Sequence, residues 1–493
     1  MKTIWKSEMP DFKPLLSNVE CDVAIIGGGI AGLWCAYKLS KKGKRVCVLE
    51  AKSVGSGVTK GSSAILTYAH DDIYHQLIKK HDTEVARKYL HDAKRAIKGI
   101  VKVVKDENWD IDLEPIDYVL FSKKWGGKRR LGKEIRAYGE LGIDIPEIVP
   151  DLPYGVRCAI KCGGSYQFNP LKLVSCLADV IKKNGGKIFE NTMVTEAPDG
   201  NELRVNEFAV RAKDFVVATH FPYINLPGFY WLKMYQEQNY CIVIGDKGCE
   251  DFCVGTSYES IDQKGFEYRR VGNKILIDGA TVRTGQKPYR SKYQILEKHI
   301  NRFFPNAKEY VRYSAQDCMT LDLLPYAGRY SHFADNIFVV SGFNKWGMTG
   351  AYVTSDVVVD MIMGKMARDA NFKENIYSPQ RNVLVANIID TVQNVGVIAA
   401  SFANDLLNLD AKKFERIKPG QGAVIKYKGH RVGASRDEKG KVRLVSAICP
   451  HLGCNLKWNK DDLTWDCPCH GSRFDTDGNV LNNPAIEGCK KVK

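Results

Sequence analysis

Cys21-Asp-Val-Ala-Ile-Ile-Gly27-Gly-Gly29-Ile-Ala-Gly32 is the stretch from which the fold is read. Residues 21–26 predict a short buried strand. The glycines follow, and then Leu-Trp-Cys-Ala-Tyr-Lys-Leu, whose apolar spacing suits a helix. Residues 45–50, Arg-Val-Cys-Val-Leu-Glu, predict a second strand. In this β-turn-α-β setting Gly27 permits a tight turn and Gly29 lets the backbone approach a pyrophosphate at the positive end of the helix. Gly32 allows the helix to pack closely on the strand. Glu50 ends the second strand, where a carboxylate accepts hydrogen bonds from a ribose 2′-hydroxyl. A bound dinucleotide is therefore expected, FAD or NAD rather than NADP.

A second glycine-rich stretch, residues 54–64, carries Thr59, Ser62 and Ser63, small hydroxyl residues able to bond a pyrophosphate or a flavin edge. Much later comes Phe215-Val-Val-Ala218-Thr219-His-Phe-Pro, a strand ending in small residues. Over roughly residues 20–370 these features resemble the glycine oxidase/D-amino acid oxidase-like flavoenzymes, the DAO family. The resemblance implies that the first motif holds the ADP part of a noncovalent FAD, with Val194, Ala218 and Thr219 returning to the same site. It also implies that the turn at Asp322 and the segment 341–351, with Gly347, Met348 and Thr349, approach the flavin ring. A helix beginning near Gly347 would place its positive end against a reduced flavin.

Near the end of the chain stand Cys449-Pro-His451-Leu-Gly-Cys454 and Cys467-Pro-Cys469-His470-Gly-Ser472. Two Cys and two His in paired loops could bind zinc, although C-x-H is tight for ordinary zinc-finger loops. The pattern is similar to that of the Rieske [2Fe–2S] family, in which two His replace two Cys on one iron. That resemblance implies Cys449 and Cys467 on the inner iron, and His451 and His470 on the outer iron nearest solvent. Cys454 and Cys469 stand where the respiratory-complex type ties its loops with a disulfide. Ser472 matches a position that hydrogen-bonds a cluster sulfide, while Phe474 replaces a Tyr, which implies a lower potential. Pro484 fits the loop that covers the cluster.

With 493 residues, more than one domain is expected. The expected architecture is an α/β, Rossmann-like, DAO-type FAD-binding domain with an inserted antiparallel-sheet substrate domain, plus a small all-β Rieske domain. Residues 1–378 form the first unit, with the substrate part at about 105–155 and 221–315; 379–410 form a helical linker and 411–493 the Rieske domain. A Cys449→Ser variant is then expected to lose the cluster and keep FAD. The start lacks an apolar signal region. The most apolar stretch, Asn387–Leu407, contains Asp390, Gln393, Asn394 and Asn404, so no membrane span and a cytoplasmic location are expected. Lys and Arg are dispersed without a nucleic-acid motif, so no nucleic-acid partner is expected. From Ala411 onward there are 17 Lys/Arg and 9 Asp/Glu. This predicts an acidic electron carrier, such as a ferredoxin or flavodoxin, docking near His451 and His470.

A two-electron flavin joined to a one-electron cluster predicts a dehydrogenase. An organic donor, an amine or amino acid from the DAO resemblance, reduces FAD, and the cluster drains it to a carrier. No second strand-GxGxxG-helix unit is present for NAD(P)H. The His70, His75, His81, His91 spacing does not suit an oxygenase iron on one helix face. A redox module without an amine substrate is the alternative. The candidate catalytic residues are His70, close to the second glycine-rich stretch, Lys345, and Arg283 as an anion clamp. In the sarcosine-oxidase branch a Lys follows the last flavin glycine; here that position holds Thr349 and Lys345 is displaced, which weakens the case for an amino-acid carboxylate. Tyr240, Tyr268 and Cys318 are further candidates for the pocket.

Overall fold

The computed structural model describes residues 2–145, 147–148, 152, 155–262, 265–286, 290–383, 387–407 and 417–492. The expected boundary at 410–411 lies outside the described residues. Strand Val23–Ile26 runs parallel to Val46–Leu49 on one side and to Asp214–Val217 on the other. Ala334–Ser341 and Lys187–Phe189 extend the sheet in parallel, and Tyr326–Ser331 closes one edge antiparallel. Parallel strands are covered on both faces, which is why these segments are apolar without alternation. Val23 and Ile25 pack with Trp34 and Leu33 of helix Ile30–Lys41. Ala24 and Ile26 face the other way, against Leu203, Val205 and Val210 of a three-stranded sheet. Each such buried aliphatic side chain contributes roughly 1.5–3 kcal/mol.

Gly27 follows the central strand with φ +111°, and a side chain there would meet the Ala218 carbonyl oxygen at 2.5 Å. A β-carbon on Gly32 would lie 2.0 Å from the Gly27 carbonyl oxygen, so the helix can approach the turn only through a glycine.

A nine-stranded sheet stands over this layer. It draws strands from Ile65–Leu66 through to Glu309–Thr320 and is antiparallel except where Glu114–Ser122 runs parallel to Thr256–Ser260. This is the expected antiparallel-sheet insertion, with one parallel pair inside it. Helix Gly347–Ile362 returns under the parallel sheet.

The last unit is all-β. Gln421–Tyr427, His430–Arg436 and Val442–Ser446 form one antiparallel sheet. Lys457–Asn459, Thr464–Asp466, Arg473–Phe474 and Val480–Asn482 form another. Trp465 is fully buried between them. Helix Ile388–Leu407 joins the units: Asn394 donates to the Leu232 carbonyl at 3.1 Å, and Ile398 packs on the core around Cys449. Among the described residues no helix is long and apolar enough to cross a membrane.

Candidate active site

A cavity of about 370 Å³ opens between the parallel sheet, the large sheet and the C-terminal unit. Its lining falls into three sets, each from a different part of the fold.

The first set is the glycine turn and what surrounds it. Gly27, Gly29, Glu50, Thr59, Ser62, Ser63, Val194, Ala218 and Thr219 all line the cavity. Glu50 accepts the N–H of Gly28 at 2.7 Å and that of Lys52 at 2.9 Å, which holds its carboxylate at the strand end. Burial raises its pKa against those two bonds. Thr59 Oγ1 accepts the first helical N–H, that of Ile30, at 3.1 Å. Gly347 and Met348 also line the cavity, at the start of a helix with no side-chain cap. An uncapped helix start carries partial positive charge suited to an anionic group. Three expected residues stand outside the lining. Gly32 is used for helix packing. Thr349 is buried one step into its helix and donates to the Thr67 carbonyl at 3.2 Å. Asp322 is buried and receives Arg381 Nε and Nη2 at 2.5 and 2.9 Å. Burial would raise that carboxyl, but the guanidinium outweighs it and holds the pKa below the usual range.

The second set comes from the large sheet, Tyr118, Glu259, Glu267, Asp278 and Asp317, joined by Lys345 and Trp346 from the turn before helix Gly347–Ile362. These carboxylates were not singled out from the sequence. The available signal was an acid inside an apolar strand, as in Lys-Ile-Leu-Ile-Asp278-Gly-Ala. Lys345 has φ +76° and follows Asn344 at +49°. Asn344 holds the turn through Oδ1, which accepts the Thr320 N–H at 2.7 Å. Burial would lower the Lys345 pKa, but Asp71, Glu237, Glu267 and Asp317 outweigh it and keep the ammonium charged. Burial lifts the Asp317 carboxyl to about 7.

The other expected catalytic residues are placed elsewhere. His70 is buried behind Trp346, stacked on it with ring centres 4.4 Å apart. Its ring nitrogens meet Tyr89 Oη at 2.7 Å and the Thr67 carbonyl at 2.8 Å, and burial pulls its pKa down to about 3. Arg283, expected as an anion clamp, lies outside the cavity: Nη2 donates to Asn394 Oδ1 at 2.6 Å and to the Cys469 carbonyl at 3.2 Å. Tyr240 and Tyr268 belong to an apolar core on the far face of the sheet, whereas Cys318 does line the cavity.

The third set is the C-terminal unit itself. Val480–Asn483, Ala485 and Ile486 close one side of the cavity. Asn483 donates to the carbonyls of Thr219 and Phe221, both at 2.6 Å. Gln236 Nε2 lies 2.8 Å from the His470 carbonyl and 2.9 Å from that of Asn483. Gln316 donates to the Gly471 carbonyl at 2.8 Å. A side chain at Gly285 would strike the Pro468 nitrogen at 2.4 Å, so the units touch backbone to backbone.

At the cluster loops the ring centres of His451 and His470 are 5.0 Å apart. Both Nδ1 atoms are buried with no hydrogen-bond partner, a cost that a metal bond removes. Cys449 and Cys467 are buried free thiols, and Cys454 and Cys469 form a disulfide. The sulfurs of Cys454, Cys467 and Cys469 lie within 4.8 Å of one another, but two of them are the disulfide, so that trio is not itself a metal site. Ser472 Oγ accepts the Ala485 N–H at 2.9 Å, and the Ser472 hydroxyl bonds the Cys449 sulfur, which directs it at the cluster site. The donor set therefore fits a two-Cys, two-His cluster. One expectation is corrected. His470 is 1% exposed, and His451 Nε2 lies 2.6 Å from Asn225 Oδ1. His470 is thus turned toward the flavin unit and away from solvent, whereas His451 is half-buried at the junction of the two units.

Residues 22–361 match the family model for FAD dependent oxidoreductases (DAO), and residues 409–493 match that for the Rieske [2Fe-2S] domain. The chain belongs to the DAO family of FAD-dependent oxidoreductases and carries a C-terminal Rieske domain; it binds FAD and a [2Fe–2S] cluster. It is 34% identical over 503 residues to the Rieske 2Fe-2S iron-sulfur protein YhfW of Bacillus subtilis (strain 168), covering 100% of this chain and 97% of that one. It is 22% identical over 384 residues to gamma-glutamylputrescine oxidoreductase of Escherichia coli (strain K12), covering 72% and 87%. In fold it is similar to glycine oxidase from Geobacillus kaustophilus, with a TM-score of 0.61, 17% identity, and 74% and 100% coverage.

Proposed function

We propose that the protein is a dehydrogenase that oxidises a C–N bond of an amine or amino acid and delivers the electrons one at a time to an external carrier. The observation that carries the reading is the wall shared by the two centres: the loop around Asn483, which covers the cluster site, also lines the flavin cavity. The E. coli relative, by its name, acts on gamma-glutamylputrescine. When bound, FAD accepts a hydride from the donor carbon, and the cluster passes single electrons. The donor loses that hydride and one N–H proton and becomes an imine, which water hydrolyses; two one-electron transfers balance each turnover.

The chain's own groups have defined tasks in this reading. Asp317, lifted to about 7 by burial, takes the N–H proton on its carboxylate. The helix start at Gly347 and Met348 presents its positive end to the cavity. Trp346, backed by His70, forms a flat apolar wall that excludes water. Gln236 holds the His470 and Asn483 backbones together, which fixes the distance between the centres. An acidic carrier such as a ferredoxin or flavodoxin meets the outer, basic surface of the Rieske unit. A cytoplasmic setting belongs to the same reading, because thirteen of the fifteen cysteines are free thiols.

Anaerobic mixing with a panel of amines and amino acids tests this. Loss of the flavin visible absorbance, followed by the paramagnetic signal of a one-electron-reduced cluster, is the expected result. No bleaching by any C–N donor, with ready reduction by a protein carrier, overturns it in favour of a redox module.

A further inference from the structure

Glu259, Glu267 and Asp278 stand side by side on three adjacent strands. Glu259 is the register partner of Glu267, and Glu267 is the register partner of Asp278. Directly opposed like charges destabilise a sheet. Here all three line the flavin cavity, with Asp317 as a fourth acid and Lys345 as the one lining lysine on this side. Tyr118 Oη donates to Glu259 at 2.8 Å, which satisfies one oxygen. Asp278 is only 6% exposed and faces the cavity; its carboxyl shares a hydrogen bond with Glu267, and its Oδ1 is buried with no other hydrogen-bond partner. A buried carboxylate oxygen without a donor is costly unless a ligand supplies one.

Resting on the reading of the site as a C–N dehydrogenase, we infer that the row Glu259–Glu267–Asp278 is a cation subsite. It takes a second, protonated nitrogen of a diamine-type donor and disfavours a donor bearing a carboxylate at that end. Several observations support this. On this side of the cavity a carboxylate would meet four acids and one lysine, which disfavours it electrostatically. Burial, reinforced by the neighbouring acids, pushes the carboxyls of Glu259 and Asp278 well above their usual range. An arriving ammonium reverses that: it donates to the open oxygen and favours the ionised row. The candidate anion clamp Arg283 is engaged at the domain interface and does not compete.

The test uses the full-length holoprotein, kept anaerobic, and three probes of equal chain length: 1,4-diaminobutane, butylamine and 4-aminobutanoate. Affinity is read by calorimetry and by perturbation of the flavin spectrum, whether or not the probe is oxidised. The expected order is diamine tightest, butylamine about tenfold weaker, and the amino acid weaker again. Asp278→Asn and Glu267→Gln should each weaken the diamine about tenfold and butylamine less than about threefold. Circular dichroism and the melting temperature of the ligand-free variants show that they fold. Equal or tighter binding of 4-aminobutanoate, or unchanged diamine affinity in both variants, overturns the inference. Ordered binding without flavin bleaching leaves the cation subsite standing and counts against the dehydrogenase reading, so the two failures differ.

Discussion

Asn483 lies in the loop that covers the cluster site, yet its Nδ2 donates at 2.6 Å to the carbonyl of Thr219, which lines the flavin cavity. One amide thus fixes the two cofactor sites relative to each other. Asn483→Ala removes this bond and the one to Phe221, each worth about 1 kcal/mol. The expected result is weaker FAD retention, about tenfold, and slower flavin-to-cluster transfer in stopped-flow, with the cluster spectrum unchanged.

Cys449→Ser sharpens the same point. The sequence alone predicts loss of the cluster with FAD kept. With Val480–Asn483 forming part of the flavin cavity, loss of the cluster loosens that wall as well. FAD titration of the variant should therefore show a raised Kd. An unchanged Kd would mean that the loop holds its shape without metal.

Asp317 gives the pH dependence its sign. Its carboxyl is raised from 3.8 to about 7, first by burial and further by Glu237 and Glu267, with Lys345 opposing. Below about 7 it holds a proton and cannot accept one. The rate of flavin reduction by donor should rise through that pH and then level off. Asp317→Asn should flatten the profile and slow reduction by about 10²-fold or more. The raised pKa also contributes stability that is present at low pH and lost as pH rises through about 7, so the Asn variant should lose less stability across that interval.

Arg381 and Asp322 form a buried ion pair that ties the segment after helix Gly347–Ile362 to the turn at 322. Arg381→Ala strands a buried carboxylate, at a cost of roughly 3–5 kcal/mol. Chemical denaturation should show the loss. Arg381→Lys should recover only part of it, because the bidentate contact is gone.

The 17 Lys/Arg against 9 Asp/Glu from Ala411 onward predict that electron transfer to an acidic carrier slows as salt rises. Stopped-flow with reduced protein and oxidised carrier measures it. Charge reversal at the exposed Lys460 should lower the rate, while substitution at His451, at the junction of the two units, should act on the flavin-to-cluster step instead.

The sequence by itself determined both cofactor sites where their chemistry is local. Gly27, Gly29 and Glu50 lie within one β-turn-α-β unit, and Cys449, His451, Cys467 and His470 lie in two tight loops; short spacing alone restricts what such residues can do. Only the tertiary structure decided which way those sites face. The row Glu259–Glu267–Asp278 exists because strand register sets three distant acids opposite one another, and register depends on long-range pairing. The same holds for Arg283, whose sequence neighbourhood suggested a substrate clamp and whose position was set by docking of the Rieske unit. His470 turns inward and His451 sits at the junction because Asn225, Gln236 and Gln316 offer polar partners to the loop backbones and the ring of His451. Complementarity between two surfaces far apart in the chain leaves no periodic signal in either.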